Sequence, residues 1–429
     1  VQGLRQKVET ELLIDILPFW INNTIDDQYG GFHGQVANDL TTNPHAPKGL
    51  ILNARILWTF SKAFSVYRNP AYLATARRAY DYLTRYFWDR EFGGVYWMLD
   101  FEGHPIDTRK CIYGQAFTVY ALAEFLHASG DPEALAMALR LVEKIESTCH
   151  DEMHGGYFET YERDWKPAVD QRLSDVDLDE KKSMNTHIHL LEAYAALLHF
   201  HEDETVRLRL GELIKIFLDH IIDSNTHHFI LFFDEEWRSR STKISFGHDI
   251  EGSWLLCKAA AILGDPAVMA RVHEAAVKMA QAVLEQGLDS DGGLLYEAQP
   301  AGIINTDKHW WPQAEAVVGF LNAYQLTGQR RFLEGAERSW AFIEKYIIDS
   351  EHGEWFSMVS QSGVPAMELY KVDTWKCPYH NGRACFEVME RLDAGQASQK
   401  APAARQITGM AASATALASH SNPPIESQK

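Results

Sequence analysis

Apolar residues between positions 50 and 86 recur at helical spacing, first as Ile51, Leu52, Ala54, Leu57 and Trp58, then as Tyr72, Ala76, Ala79, Leu83 and Tyr86. The spacing predicts two consecutive helices. Further along, Asp131-Pro132 and Asp265-Pro266 predict helix starts, each a capping Asp ahead of a first-turn Pro. Gly130 and Gly264, just before them, predict helix ends.

A short phrase of different character punctuates these helices. It reads DQYGGFH at 27–33, REFGGVY at 90–96, EMHGGYF at 152–158, DGGLLY at 291–296 and EHGEWF at 351–356. A copy without glycine, THHFILF, fits at 226–232. Each is a turn followed by an apolar stub, which predicts a short strand or β-hairpin. The copies lie roughly 60 to 75 residues apart, a repeat period. Six phrases with about two helices per interval predict an all-α fold: an (α/α)6 barrel of six helical hairpins, with short β-hairpins at one end. An open solenoid is the alternative that periodicity leaves. The barrel domain is expected over residues 1–393. Residues 394–429 turn to Ala, Ser, Gln and Pro without periodicity, which predicts a disordered tail.

Composition narrows the partners. A net charge of −19 argues against nucleic acid and anionic membrane, and says nothing of a neutral sugar. No run of 18 apolar residues predicts a membrane span. The start of the chain lacks a charged segment followed by an apolar run, so no signal peptide is expected. The five cysteines form no CxxC pair, which predicts reduced thiols and a cytoplasmic location. Aromatics make up 12% of residues, enough to fill a large core and also to supply platforms for sugar rings.

Polar and aromatic residues gather just after each repeated phrase, where the next helix should begin. They are Asn53 and Arg55; Arg109, Tyr113 and Gln115; Asn185, His187 and His189; His248 and Glu251; His309, Trp310, Trp311 and Glu315; and Trp375, Tyr379, His380, Asn381 and Arg383. Equivalent points of six repeats converge on one end of a barrel, which predicts one pocket. His248 and Glu251 share a helical face at i, i+3, so Glu251 is expected to support His248. His187 lies about 200° around the helix from His189; His189 is assigned to the site and His187 to structure. No complete metal-ligand set, phosphate loop or Ser nucleophile elbow is present, so no metal and no cofactor are expected.

The stretches 52–58 (LNARILW), 107–117 (DTRKCIYGQAF), 184–189 (MNTHIH), 245–251 (SFGHDIE), 309–315 (HWWPQAE) and 375–385 (WKCPYHNGRAC) resemble the cellobiose 2-epimerases of the N-acylglucosamine 2-epimerase superfamily. The matches run in order along nearly the whole chain except the tail. The resemblance implies an (α/α)6 barrel and a metal-free, cofactor-free epimerisation at C2 of β-1,4-linked disaccharides. Cellobiose would give glucosyl-mannose and lactose epilactose, with some slow aldose–ketose isomerisation; cello- and manno-oligosaccharides are further substrates. It carries over His248 and His380 as the acid/base pair and His189 as the group assisting ring opening. Arg55, Tyr113, Asn185 and Glu251 would surround the reacting sugar, with Trp310, Trp311, Glu315, Trp375, Asn381 and Arg383 completing the substrate site. A monomer or homodimer is expected.

The chemistry suits these residue types. Inverting C2 needs a proton to leave one face of an opened sugar and return to the other. Two imidazoles, with ordinary pKa values near 6.5, can exchange those roles at neutral pH. The charge growing on O1 needs donors, which Arg55 and Tyr113 supply. Other readings are an N-acylglucosamine 2-epimerase or a mannose isomerase-like enzyme; an (α/α)6 glycoside hydrolase, which would use paired carboxylates; and a non-catalytic sugar-binding protein. The last two leave three histidines without a task.

Overall fold

The computed structural model describes residues 2–400, with side chains from 3 to 394. Among these residues it has thirteen α-helices: α1 (Gln2–Thr10), α2 (Leu17–Asn23), α3 (Leu50–Tyr67), α4 (Pro70–Tyr82), α5 (Ile112–Ser129), α6 (Pro132–Thr148), α7 (Met184–Phe200), α8 (Glu204–Ile216), α9 (Phe246–Leu263), α10 (Pro266–Gln286), α11 (Trp310–Thr327), α12 (Arg330–Phe342) and α13 (Tyr379–Lys400). The expected tail lies outside the described residues from position 401 onward.

The predicted caps are in place. Asp131 accepts from the Glu133 N–H and Asp265 from those of Ala267 and Val268, with Pro in the first turn. Gly130 and Gly264 end α5 and α9 at φ of 71° and 77°, where a side chain would be strained. One feature that periodicity did not predict recurs: α4, α8 and α12 each run on into a π-helical turn, at Leu83–Phe87, Phe217–Ile221 and Ile343–Ile347.

Two layers follow from burial. Helices α3, α5, α7, α9 and α11 are buried over most of their length, on all sides, as helices of an inner layer must be. Each packs on the next, α11 packs on α13, and α13 returns to α3. Helices α4, α6, α8, α10 and α12 pack on their partners α3, α5, α7, α9 and α11, and α1 packs on α13.

Short strands tie the repeats together. Lys48–Gly49, Lys110–Cys111, Lys182–Ser183, Ile244–Ser245 and Lys308–His309 each precede an inner helix. Each pairs antiparallel with a segment of the following repeat: Lys48 with Leu99, Lys110 with Tyr161, Lys182 with Phe233, Ile244 with Ala298 and Lys308 with Val359. A bridge between Val36 and Val372 joins the last repeat to the first.

The repeated phrase itself forms a single bridge in all six copies, the glycine-free one included: Ile25–Phe32, Trp88–Val95, His150–Tyr157, Ile222–Phe229, Leu288–Leu294 and Ile348–Trp355. In four copies a side chain from the following inner helix takes backbone groups of the bridged residue itself. Gln115 accepts from the Val95 N–H and donates to its carbonyl, both at 2.9 Å. Gln313 does the same at Leu294, at 2.6 and 2.9 Å. His187 accepts from the Tyr157 N–H at 3.0 Å, and Asp249 from that of Phe229 at 2.7 Å. All four are the fourth residue of their helix. A buried ion pair reinforces most turns: Lys48–Asp26 at 2.7 Å, Lys110–Asp89 at 3.0 Å, Lys182–Asp151 at 2.7 Å and Lys308–Asp289 at 2.9 Å. In the glycine-free repeat the strand carries Ile244 at that position.

Candidate active site

The second, sixth and ninth residues of an inner helix share one face, being spaced i, i+4 and i+7. Across α3, α5, α7, α9 and α11 these are Ile51, Tyr113, Asn185, Gly247 and Trp311; then Arg55, Phe117, His189, Glu251 and Glu315; then Trp58, Tyr120, Glu192, Trp254 and Val318. These side chains meet across the ring. The Tyr113 and Phe117 rings lie 5.0 and 4.5 Å from that of His189.

A cavity of about 290 Å3 opens at the N-terminal ends of these helices. His189, His248 and His380 line it, as do Arg55, Tyr113, Asn185, Glu251, Trp310, Trp311 and Trp375. Three residues assigned from sequence do not. Glu315 and Arg383 lie beneath it, and Asn381 turns away to donate to Glu354 at 2.8 Å.

The three histidines are held alike. His189 Nδ1 is 3.1 Å from Glu192 Oε2, His248 Nδ1 is 2.8 Å from Ser245 Oγ, and His380 Nδ1 is 2.7 Å from Glu315 Oε1. Nε2 of each ring has no hydrogen-bond partner among the described residues. The ring of Trp311 lies 4.7 Å from that of His248 and 5.5 Å from that of His380. Burial pushes the His248 pKa down to about 4, with Arg55 adding to the effect. Burial also lowers His189, against the pull of Glu192. It lowers His380 well below the usual range, against the pull of Glu251.

Below them sits a charged floor. Arg383 donates to Glu192, Glu251 and Glu315, and the Tyr379 hydroxyl donates to Glu192 at 2.6 Å. Burial opposes the charge on Arg383, but the carboxylates, Glu315 foremost, keep it protonated. Burial alone would raise Glu192; Arg383 reverses the sign and holds its carboxyl below the usual range. Glu315 stays above that range because burial outweighs Arg383. Glu251, Glu315 and His380 place ligand atoms within 4.8 Å of one another, a spacing suited to a metal ion. The Arg383 guanidinium already supplies positive charge to both of those carboxylates.

Glu251 is therefore not the support of His248 that its i, i+3 spacing suggests. It lies one turn deeper and finds Arg383 there, with His380 Nδ1 at 3.9 Å. His187 is a strut: its Nδ1 bonds the Ser183 carbonyl at 2.6 Å and its Nε2 accepts from Tyr157.

The other wall carries unpartnered polar atoms. Arg55 Nε, Asn185 Oδ1 and Trp310 Nε1 are buried with no partner among the described residues. Arg55 also donates to the Tyr113 hydroxyl at 2.8 Å, which leaves the tyrosine proton free to be donated onward.

Sequence reasoning missed several residues. Ser245 and Glu192 each lie three positions from the histidine they hold, a signal that was available. Leu173, Ser174, Val176 and Asp177 line the cavity from a segment without periodicity. Tyr296 stacks on His309 with centroids 3.9 Å apart.

All five cysteines are buried and unpaired. No helix among the described residues is long and apolar enough to cross a membrane.

Known proteins place this geometry. A cellobiose 2-epimerase of Bacteroides fragilis is 44% identical over 387 residues, spanning 90% of this chain and 98% of that protein. A solved sugar epimerase from a ruminal bacterium superposes with a TM-score of 0.87 at 40% identity, covering 90% of this chain and 99% of that one. The structure of cellobiose 2-epimerase from Bacillus thermoamylovorans gives a TM-score of 0.87 at 38% identity, with 91% and 100% covered. The profile of the N-acylglucosamine 2-epimerase (GlcNAc 2-epimerase) family matches residues 30–382. The chain belongs to that family.

Proposed function

We propose that this protein inverts C2 of the reducing-end glucose of β-1,4-linked disaccharides, turning cellobiose into glucosyl-mannose and lactose into epilactose. We read its cyclic order of inner helices as an (α/α)6 barrel that forms the catalytic domain. The observation that carries the proposal is the set of three histidines on one cavity, each held through Nδ1 with Nε2 left for substrate.

In this reading His189 assists opening of the sugar ring. One of His248 and His380 then takes the C2 proton at Nε2, and the other returns a proton to the opposite face. The charge that grows on O1 meets the Arg55 guanidinium and the Tyr113 O–H. One such donor typically lowers the barrier by about 3 kcal/mol. Trp311 and Trp375 pack on the sugars, while Asn185, Ser174 and Asp177 meet their hydroxyls. The same intermediate, reprotonated at C1, gives the ketose as a slow side product. Glu315 and Arg383 act from beneath, one on His380 and the other on the carboxylates, rather than by touching substrate.

Product analysis tests the proposal. Incubated with cellobiose, the protein should yield a disaccharide of unchanged mass with mannose at its reducing end. Free glucose in place of that product would make it a hydrolase, and unreacted cellobiose would remove the assignment.

A further inference from the structure

On the far side of the charged floor lies a second cavity, of about 360 Å3. Its walls come from the C-terminal halves of α3, α5, α7 and α9, the opposite end of these helices from His248. The size lies near the lower end of small-molecule sites, which run from about 300 to 1,000 Å3. Glu192 lies between the two cavities: its side chain lines this one, and beneath the other it accepts from Tyr379 and holds His189 Nδ1.

Two polar atoms of this wall stand out. Trp58 Nε1 and Glu124 Oε1 are buried and have no hydrogen-bond partner among the described residues. Trp58 is 3% exposed and Glu124 is 6% exposed. Buried polar groups are nearly always paired, so two orphans on one cavity call for a ligand. The orphans are complementary, a donor on α3 and an acceptor on α5. A hydroxyl can accept from the indole N–H while donating to the carboxylate. Stacking of Trp58 on Tyr120, with centroids 5.3 Å apart, fixes the indole. The two lysines of the wall pair with other carboxylates, Lys62 with Glu390 at 2.6 Å and Lys258 with Glu387, and their charges also oppose the burial that raises the Glu124 carboxyl. The alanines at 195, 196 and 259 leave the volume open, and Phe200, stacked on His127 with centroids 4.5 Å apart, lines the same wall.

We propose that this cavity is a second binding site, for a small neutral cyclic polyol, one hydroxyl of which bridges Trp58 Nε1 and Glu124 Oε1. The site does not depend on the reaction assigned to the first cavity.

The test titrates the full chain with myo-inositol, which has no aldehyde to react, and follows the indole N–H resonances by 15N NMR. The Trp58 resonance, assigned by its loss in Trp58→Phe, should shift and saturate. Glu124→Leu should weaken the apparent affinity about tenfold or more. Ala196→Leu, which fills the cavity without touching either polar atom, should abolish the shift in a folded, active protein. Movement of the Trp310 or Trp311 resonances with Trp58 unmoved would put the polyol in the catalytic cavity alone and overturn the proposal. Indole resonances that all stay in place would leave water as the only occupant and overturn it as well.

Discussion

His248 and His380 differ in what holds them. A neutral hydroxyl stands behind His248 and a carboxyl group behind His380. His248, held down to about 4 by burial and by Arg55, stays neutral through the neutral range and can accept a proton. Protonation removes that base only as pH falls through about 4. In the direction in which His248 takes the C2 proton, the acid limb of kcat/KM should therefore lie near pH 4 rather than near the ordinary histidine value of about 6.5. A limb at the ordinary value in a folded enzyme would mean that Arg55 and burial do not act on His248 as described. Glu251→Gln should leave this limb in place, since its carboxylate faces Arg383 and His380; a limb displaced by a full unit would show contact with His248 after all. Replacing His248 or His380 by Ala should lower kcat by about 100-fold or more while circular dichroism stays unchanged, the usual contribution of one acid/base group. That His248 and His380 share one cavity was legible from sequence, through their places at helix starts and the resemblance. Helical spacing could have pointed to Ser245 and Glu192, each three positions from its histidine, but not to Glu315, which is 65 positions from His380.

The inner helix is the unit that turns sequence into site. In α5, α7, α9 and α11 its fourth residue bonds the preceding turn, and its second, sixth and ninth share one face. The first of these roles makes a prediction separable from catalysis. His187→Leu strands the Tyr157 N–H and should destabilise the fold by about 1–3 kcal/mol, measured by urea denaturation, while kcat of the folded fraction changes less than about threefold. A catalytic loss as large as that of His248→Ala would return His187 to the site. The buried pairs beneath the turns act at the same scale. Asp26→Ala leaves the Lys48 ammonium buried beside the Gly30 carbonyl and the Tyr82 ring and strands the Gln28 and Tyr29 N–H groups, at an expected cost of about 3–5 kcal/mol. Removing both charges while keeping the acceptor for those N–H groups, as Asp26→Asn with Lys48→Met, should recover most of it; equal loss in Asp26→Ala and the double variant would show that the charge pair does not set the stability. Repeats, caps and helix spans were readable because local periodicity encodes them. The lysine–aspartate pairs were not legible, since each links residues that the fold brings together, such as Lys48 and Asp26, 22 positions apart; the π-helical turns are local but carry no apolar period distinct from that of the helix they extend.

At the scale of the whole molecule, the ring of inner helices gives the cavity one polar, histidine-rich end and sets the second cavity behind a charged floor. The mostly helical architecture was legible from the six-fold phrase. The segment that supplies Ser174 and Asp177 was not, because an aperiodic stretch takes its position from contacts distant in sequence. Arg383 supplies the positive charge that Glu251 and Glu315 would otherwise take from a metal ion, so turnover should survive exhaustive chelation. Loss of activity in EDTA, restored by a divalent ion, would put a metal in that triangle. The most direct measurement is made in D2O. If His248 and His380 exchange the C2 proton with solvent, cellobiose incubated with the protein should yield glucosyl-mannose carrying one deuterium at C2, read by NMR and mass. Epimer formed with C2 still protonated, or no exchange at C2 at all, would contradict proton transfer by this pair.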